Sequence, residues 1–346
     1  MTAPDFPLAA DTLATLRRAM LPMDGSIADH AEPILAAVAA ATQAVPLADL
    51  AYVDLTAGSC LLPMAFAAAG ARRVVVNDTA SRTQVAAQAL FGGAPADAET
   101  MVRRAAAATA PRRQHVASFR FIADHLTRDV AEIFDRLYFA LAPAAEAMTA
   151  RYVALRWVLG FADDEDGFRI LMTHDPAQLR ADDEEDWRGF LDRARRPSEI
   201  IAAVSRDIAA GQGALRTRDV AILHGDMRDV AGAIDYSGPT LVAVNPPTNG
   251  VDEYVIDDQV VHSLIANRLV PLTKCGESAA AFWRSRVEIA LDALPRGTFF
   301  LVWGGDGALS SEDCRATWTR FGDPVHLATV VPSPGRHALW GIFRRR

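Results

Sequence analysis

Two prolines directly after an asparagine close one of the apolar segments of this chain. In LVAVNPPTNG, at 241–250, four apolar residues lead into Asn245, and Pro246 and Pro247 follow. The chain has four asparagines and 19 prolines in 346 residues, so about 0.01 such tripeptides are expected by chance from this composition. A strand that ends this way loses two backbone donors in a row. That favours either a rigid turn or a site that needs fixed acceptors.

A pair of fixed acceptors suits the chemistry of an exocyclic amino group. Such a nitrogen is a poor nucleophile because its lone pair is delocalised into the ring. The side-chain oxygen of Asn245 and the carbonyl of Pro246 can each accept one amino hydrogen, and Pro247 keeps the turn rigid. The nitrogen is then drawn toward tetrahedral geometry, and acceptors held in advance need no reorganisation during the reaction. The tripeptide therefore predicts a catalytic site for transfer to an amino group.

A loop of small residues follows another apolar segment and could hold a ligand. Asp54 ends LAYVD, and the next residues of interest are Thr56, Ala57, Gly58, Ser59 and Cys60. Small side chains let a backbone approach a ligand closely. The N–H groups of a following helix can bind the ligand's carboxylate, and an acid can meet its ammonium. The same loop would also suit a generic nucleotide-binding or structural turn.

Two more apolar segments end in acids. Asn77 and Asp78 close RRVVVND, where a carboxylate can accept both hydroxyls of a ribose or cap a helix. Asp226 in HGDM can accept the amino hydrogens of an adenine, with Met227 packed on the ring; the alternative is a solvated loop acid. The sequence contains no Cys/His cluster, so we predict no metal site.

The segments that must position these residues alternate between strand and helix patterns. Strands are predicted at 50–54, 72–78, 220–227, 240–247 and 298–305, and helices at 10–48 (two, the second from Ala31 to Val45), 61–69, 277–293 and 310–321. Strand–turn–helix–strand order is typical of a parallel sheet. PVHLATVV and HALWGIFRRR, around PSPGR, predict a terminal β-hairpin. Residues 79–218 break this order with long polar helical patterns, which predicts an inserted helical subdomain in an α/β, Rossmann-like fold.

Composition narrows the class of protein. The chain is 51% hydrophobic and 23% charged, as in globular proteins with a core. A net charge of −8 argues against a generally basic nucleic-acid coat, although a local basic groove is compatible with it. The apolar stretches at 31–48 and 61–69 are interrupted or too short for a bilayer, and the first residues lack a secretory signal. Three separated cysteines favour a reducing compartment. We therefore expect a cytoplasmic protein without a membrane partner.

The motifs VDLTAGSC, VVVND, HGDM and VNPPT, in this order, resemble the motif series of the Dam-type DNA adenine-N6 methyltransferases. The resemblance covers 50–78 and 220–346, and it is architectural across 79–219. It implies S-adenosylmethionine (AdoMet) as cofactor and transfer of its methyl group to an adenine flipped out of duplex DNA, as in restriction–modification systems. The implied organisation is an N-terminal helical segment at 1–49, a catalytic domain at 50–90 and 219–346, and a target-recognition subdomain at 91–218.

The chain departs from the family pattern at several positions. Thr248 stands where the family has a tyrosine or phenylalanine that stacks on the flipped base, and Tyr254 is the nearest aromatic that could replace it. Cys60 stands where the last glycine of the loop is usual, and Thr56 where an aromatic is usual. Thr248 and Tyr254 complete the predicted catalytic set with the Asn-Pro-Pro residues.

An arginine patch at the start of the insert is the candidate DNA-backbone contact, since arginine binds phosphate well. It comprises Arg103, Arg104, Arg112 and Arg113, and it could equally be a solvated helix face. The main alternatives are the same chemistry on RNA or a protein amide, which Asn-Pro-Pro also marks, and a catalytically inactive AdoMet-binding regulator, which Thr248 and Cys60 favour. A plain nucleotide-binding α/β protein is disfavoured by the terminal hairpin.

Overall fold

A seven-stranded sheet lies at the centre of the molecule. The computed structural model describes residues 8–21, 30–42, 45–107, 128–139, 142–159, 196–245, 259, 261–262, 265–266, 276–304, 310–333 and 336–346. Within these residues the strands are β1 Ala51–Asp54, β2 Arg73–Asn77, β3 Val220–Leu223, β4 Thr240–Val244, β5 Phe299–Gly304, β6 Gly322–Ser333 and β7 Arg336–Arg345.

The strand order is β3-β2-β1-β4-β5-β7-β6. Strands β1 to β5 pair in parallel, and β7 runs antiparallel between β5 and β6. The predicted α/β class and the terminal antiparallel hairpin are therefore confirmed. Two strands, β3 and β4, end three or more residues earlier than predicted. β3 stops at Leu223 because Asp226 already caps the next helix, and β4 stops at Val244.

Helices flank the sheet. They are α1 Ala10–Ala19, α2 Ala31–Ala41, α3 Leu61–Ala69, α4 Ser81–Ala87, α5 Ala98–Ala106, α6 Arg128–Tyr138, α7 Ala144–Leu159, α8 Pro197–Ala214, α9 Met227–Ala233, α10 Ala279–Trp283, α11 Ile289–Asp292 and α12 Ser311–Phe321. Short π-helical turns continue α4 and join α10 to α11. Gly70 ends α3 with a φ of +88°, as the sequence predicts. Helix α2 ends at Ala41 rather than Val45, because the residue before Pro46 is disfavoured in a helix.

Two hydrophobic cores cover opposite faces of the sheet, because successive strand residues point to opposite sides. The first core contains Tyr52, Val74 and Ala243 with side chains of α1, α2, α3, α7 and α8. The second core contains Val53 and Val242 with side chains of α9, α11 and α12. The molecule is thus a helix–sheet–helix sandwich.

The described helices of the predicted insert belong to the first core. Met101 of α5, Phe134 of α6, Trp157 of α7 and Ile208 of α8 are buried in it together with residues of β1, β2 and β4. The described residues of this region are therefore largely helical. The division of the chain at residue 91 stays a prediction, and these helices share one core with the sheet.

The direction of winding changes between β1 and β4. Helix α3 leaves β1 on the side of the first core, whereas α10 and α11, between β4 and β5, lie on the side of the second core. Ligands of open α/β sheets bind outside the carboxyl ends of strands at such a switch point. The residues after Asp54 and after Val244 flank it. No helix among the described residues is both long and apolar enough to cross a bilayer.

Candidate functional site

Asp54 is a buried acid at the carboxyl end of β1. Its Oδ2 accepts a hydrogen bond from the hydroxyl of Tyr52 at 2.8 Å, and its Oδ1 accepts one from the backbone N–H of Thr56 at 3.1 Å. Burial raises the pKa of Asp54 to about 7, and these two donors only partly oppose the effect. No arginine or histidine of the described residues forms an ion pair with it. The carboxyl therefore suits a positively charged group of a ligand.

Asp78 connects the loops after β1 and β2. Its Oδ2 accepts from the N–H of Gly58 at 2.8 Å, and its Oδ1 accepts from the N–H of Ala80 at 2.9 Å. Burial raises the pKa of Asp78, although these two N–H groups and the charge of Arg82 act in the opposite direction. The predicted ribose acceptor thus also fixes the loop after β1, and its contact with a ribose stays a prediction.

Positive φ angles shape the loop after β1. Gly58 has a φ of +49° and Cys60 a φ of +65°. Cys60 is fully buried and begins α3. The left-handed conformation explains why glycine is usual at the position of Cys60 in the family that the sequence resembles. The hydroxyl of Thr83, on α4, donates to the carbonyl of Gly58 at 2.9 Å and so stabilises this turn.

Asn77 ties three strand ends together. Its Nδ2 donates to the carbonyls of Leu55 and Gly225, each at 3.0 Å, and its own carbonyl accepts from Ala57. Its Oδ1 is buried without a hydrogen-bond partner among the described residues. These contacts give Asn77 a structural role, and a direct contact with a cofactor stays a prediction.

Asp226 lies at the carboxyl end of β3 and is bound by arginine. Arg228 donates to it from Nε at 2.9 Å and from Nη2 at 2.7 Å, and Arg286 Nε lies 3.5 Å from its Oδ2. Burial would raise the pKa of Asp226, but the hydrogen bonds from Arg228 and the charge of Arg286 outweigh it and hold the pKa below its usual value. Met227 is buried in the second core. Contacts of both residues with an adenine stay predictions. The Asp226 carboxylate already forms ion pairs with two arginines, so a ligand would have to share it with them.

Asn245 lies at the end of β4, next to the loop after β1. Its backbone N–H donates to the hydroxyl of Thr56 at 2.6 Å. β4 and β5 pair with Val244 opposite Val302, which brings Asn245 level with Trp303. The ring of Trp303 lies 5.3 Å from that of His30. Pro246, Pro247, Thr248 and Tyr254, the other predicted catalytic residues, lie outside the described residues.

Sequence reasoning missed several polar contacts around this sheet edge. Ser81 Oγ lies 2.5 Å from His262 Nδ1, Gln84 donates to the carbonyl of Leu223, and His224 Nε2 lies 2.9 Å from the carbonyl of Thr79. Ser81 and His262 are 181 positions apart, and no local motif marks either of them. They attach a residue C-terminal to Asn245 to the start of α4.

The predicted DNA-binding arginines separate into two kinds. Arg103 is exposed on α5 and forms an i,i+4 ion pair with Glu99. Arg104 is four-fifths buried and binds Glu146 of α7, so it connects two helices. Arg112 and Arg113 lie outside the described residues. The part of the patch that the structure describes therefore offers one exposed guanidinium and one that is mostly buried between helices.

Two buried acids and a turn of small residues lie at the switch point, beside the end of β4. Their chemistry would suit a cationic, hydroxyl-bearing ligand. Among the described residues, no three His, Cys, Asp or Glu side chains come together as a metal site.

Comparison of the chain with protein-family models and with curated proteins gives no match. The assignment of function therefore depends on the sequence motifs and this geometry.

Proposed function

We propose that the protein is an AdoMet-dependent methyltransferase that transfers a methyl group to the N6 amino group of adenine in DNA. The observation that carries the proposal is the backbone contact between Asn245 and Thr56. It joins the predicted amine-binding motif to the predicted cofactor loop at the switch point of the sheet.

The strand order supports the cofactor. An antiparallel strand inserted between β5 and β6, as β7 is here, resembles the sheet of the AdoMet-dependent methyltransferases. The donor set also fits AdoMet. Asp54 is a buried carboxyl whose ionised form a nearby cation would stabilise, and the ammonium or sulfonium of AdoMet could supply that charge. Asp78 can accept ribose hydroxyls. Small residues 56–60 let the backbone come close.

Within this proposal, Asn245 and Pro246 prepare the acceptor. AdoMet supplies an electrophilic methyl group on a sulfonium. The Asn245 oxygen and the Pro246 carbonyl bind the two amino hydrogens and direct the nitrogen lone pair toward that methyl. With AdoMet bound, a carbon–nitrogen bond would form as the carbon–sulfur bond breaks, which would leave S-adenosylhomocysteine, and the nitrogen would lose one proton to solvent. Thr56 fixes the backbone of Asn245, and Asn245 has no charge to stabilise the cationic amine, so orientation is its main contribution.

Methyl transfer from isotope-labelled AdoMet tests the proposal. The acceptors are unmethylated duplex DNA, single-stranded DNA and RNA. Wild-type protein should label DNA as N6-methyladenine. Asn245→Ala should lose transfer and keep AdoMet binding, and Asn245→Asp, which keeps an acceptor, should retain activity. Label in RNA alone would move the proposal to an RNA acceptor. AdoMet binding without transfer to any nucleic acid would leave a protein amide or a regulator.

The two described arginines of the patch allow a matched test of DNA binding. Arg103→Ala should weaken binding and lower the slope of log affinity against log salt by about 1, because one phosphate contact is lost. Its effect on thermal unfolding should be small, since the Glu99 pair is exposed. Arg104→Ala should instead destabilise the fold, because it leaves Glu146 without its partner. DNA binding measured at several salt concentrations, with thermal unfolding, distinguishes the two. An Arg103→Ala variant with wild-type affinity would contradict the assignment.

A further inference from the structure

Two side chains of α7 bind the C-terminal end of α1. Arg156 donates from Nη2 to the carbonyl of Arg18 at 2.7 Å and from Nη1 to the carbonyl of Met20. The hydroxyl of Tyr152 donates to the carbonyl of Ala19 at 2.8 Å. The last carbonyls of a helix have no partner inside it, and a cation there also meets the negative end of the helix dipole. Residues of α7 therefore determine where α1 ends.

The next residue connects α1 to the loop after β1. The N–H of Leu21 donates to the carbonyl of Ser59 at 3.1 Å, and Leu21 is fully buried. Ser59 stands between Gly58, whose N–H binds Asp78, and Cys60, which has the left-handed conformation. The other hydrogen bonds described above for this loop come from residues of β1, β2, α3 and α4 and from Asn245 after β4, whereas this one comes from the N-terminal segment.

The end of α1 is also packed tightly by α8. A Cβ on Gly211 would lie 2.4 Å from the Cβ of Ala19, so only glycine permits this crossing. Burial holds the pKa of Tyr152 well above its usual value, although the charge of Arg156 acts in the opposite direction. Tyr152 thus stays protonated as a donor to Ala19. Helices α7 and α8 both belong to the predicted insert, which is therefore attached to the loop through α1.

We propose that Arg156 and Tyr152 are positioning residues for the loop at 56–60. Through the end of α1 they hold Ser59 in the conformation that receives the amino-acid part of AdoMet. The inference rests on the proposed function, because it takes this loop as the binding place of that part. The helical insert then sets the affinity for the cofactor as well as carrying the predicted DNA contacts.

Calorimetric titration with two ligands tests the inference. One is S-adenosylhomocysteine, which has the amino-acid part; the other is 5′-methylthioadenosine, which shares the adenosine and lacks that part. Arg156→Met should weaken the affinity for S-adenosylhomocysteine about 10-fold and the affinity for 5′-methylthioadenosine less than about 2-fold. This difference is expected when hydrogen bonds that act on one end of the site are lost. In turnover, KM for AdoMet should rise more than kcat falls. Arg156→Lys should recover part of the affinity, because an ammonium can donate to the same carbonyls.

Controls separate positioning from a general loss of structure. Arg151→Met changes a cation on the same helix that lies 5.7 Å over the Tyr138 ring, and it should leave both affinities unchanged. Tyr152→Phe removes one hydroxyl and should act in the same direction as Arg156→Met, more weakly; it serves as the test if Arg156→Met fails to fold by thermal unfolding. Equal weakening of both ligands, or no weakening, would overturn the inference. A wild-type protein that binds neither S-adenosylhomocysteine nor AdoMet would instead overturn the proposed function itself.

Discussion

At the scale of the residue, the carboxyl of Asp54 makes stability depend on pH. Burial raises its pKa from 3.8 to about 7, so the folded protein keeps a proton that the unfolded chain loses between these values. Its contribution to stability is fully present below about pH 4 and is lost as pH rises through 7. Asp54→Asn should therefore stabilise the protein at pH 8, by on the order of 1–4 kcal/mol, and change it little at pH 4. Thermal unfolding across this range measures the difference.

An amide fits the contacts that Asp54 makes. Its oxygen can accept from Thr56 and its nitrogen can donate to the hydroxyl of Tyr52, which turns to accept. Asp97→Asn is the matched control, because Asp97 is an exposed helix cap with a lowered pKa, and asparagine caps a helix as well as aspartate. Its effect on stability should not vary with pH above about 4, because Asp97 is then ionised in both the folded and the unfolded chain. A difference between wild type and Asp54→Asn that stays the same from pH 4 to pH 8 would show that ionisation of Asp54 is not involved.

At position 60, the glycine variant should be more stable than the alanine variant, which is the reverse of the order inside a helix. A left-handed conformation costs a non-glycine residue about 1–2 kcal/mol, and Cys60 has a φ of +65°. Cys60→Gly relieves this strain while losing the buried thiol, whereas Cys60→Ala loses the thiol and keeps the strain. We expect Cys60→Gly to be the more stable variant by about 1 kcal/mol. Urea unfolding of both checks this.

Cys314 supplies the comparison for Cys60. It is fully buried as well, but it lies inside α12, where glycine is about 1 kcal/mol worse than alanine. Cys314→Ala should therefore be more stable than Cys314→Gly. The same order of glycine and alanine at both cysteines would mean that the loop after β1 does not need a left-handed residue.

At the scale of the element, the hydrogen bond between Thr56 and Asn245 couples the ends of β1 and β4. Thr56→Val keeps the size of the side chain and removes the acceptor for the backbone N–H of Asn245. If the proposed function holds, kcat should fall about 10-fold, because the acceptors for the amino group are less well oriented. AdoMet affinity should change little. Single-turnover methyl transfer and equilibrium binding measure the two effects separately.

Thr83→Val is the matched control for Thr56→Val. The hydroxyl of Thr83 holds the carbonyl of Gly58 inside the loop and does not contact Asn245. This variant should weaken AdoMet binding and leave the single-turnover rate with saturating AdoMet close to that of wild type. A Thr56→Val protein with the same pattern as Thr83→Val would mean that Thr56 only shapes the loop.

The sequence predicts the elements better than it predicts their contacts. Apolar segments that end in Asp54, Asp78 and Asn245 identify the strands, because buried strands and polar strand ends are local patterns. The hydrogen bond from Asn245 to Thr56 joins residues 189 positions apart. Its donor is a backbone N–H, which almost every residue type has, so the sequence cannot indicate it. The sequence predicts Asn77 at a ligand and gives no sign that its amide nitrogen binds the carbonyls of Leu55 and Gly225. The paired arginines at Asp226 also depend on a distant residue, Arg286.

At the scale of the whole molecule, the two faces of the sheet are built by different parts of the chain. The first core draws on the N-terminal helices and on all the described helices between β2 and β3, and the second core draws on the helices after β3. The site lies where the two sets meet, between β1 and β4. Its geometry therefore depends on both cores, and changes far from Asn245, such as at Arg156, can alter it.

The helices between β2 and β3 should unfold together with the sheet. Trp157 and Leu155 of α7 are fully buried in the same core as Tyr52 and Leu241, so opening α7 would expose the first face of β1 and β4. In denaturant-dependent hydrogen exchange, the slowest amides of α7 should report the same opening free energy as those of β1 and β4, because they belong to one cooperative unit. Mass spectrometry of peptides covering 144–159, 51–54 and 240–244 makes the comparison.

Helix α5 is a useful internal reference, since its exposed face includes Arg103 and its end should fray earlier. If α7 instead lost protection at a clearly lower denaturant concentration than both strands, the insert would be a separate folding unit. Its coupling to the loop after β1 would then have to act through the end of α1 alone.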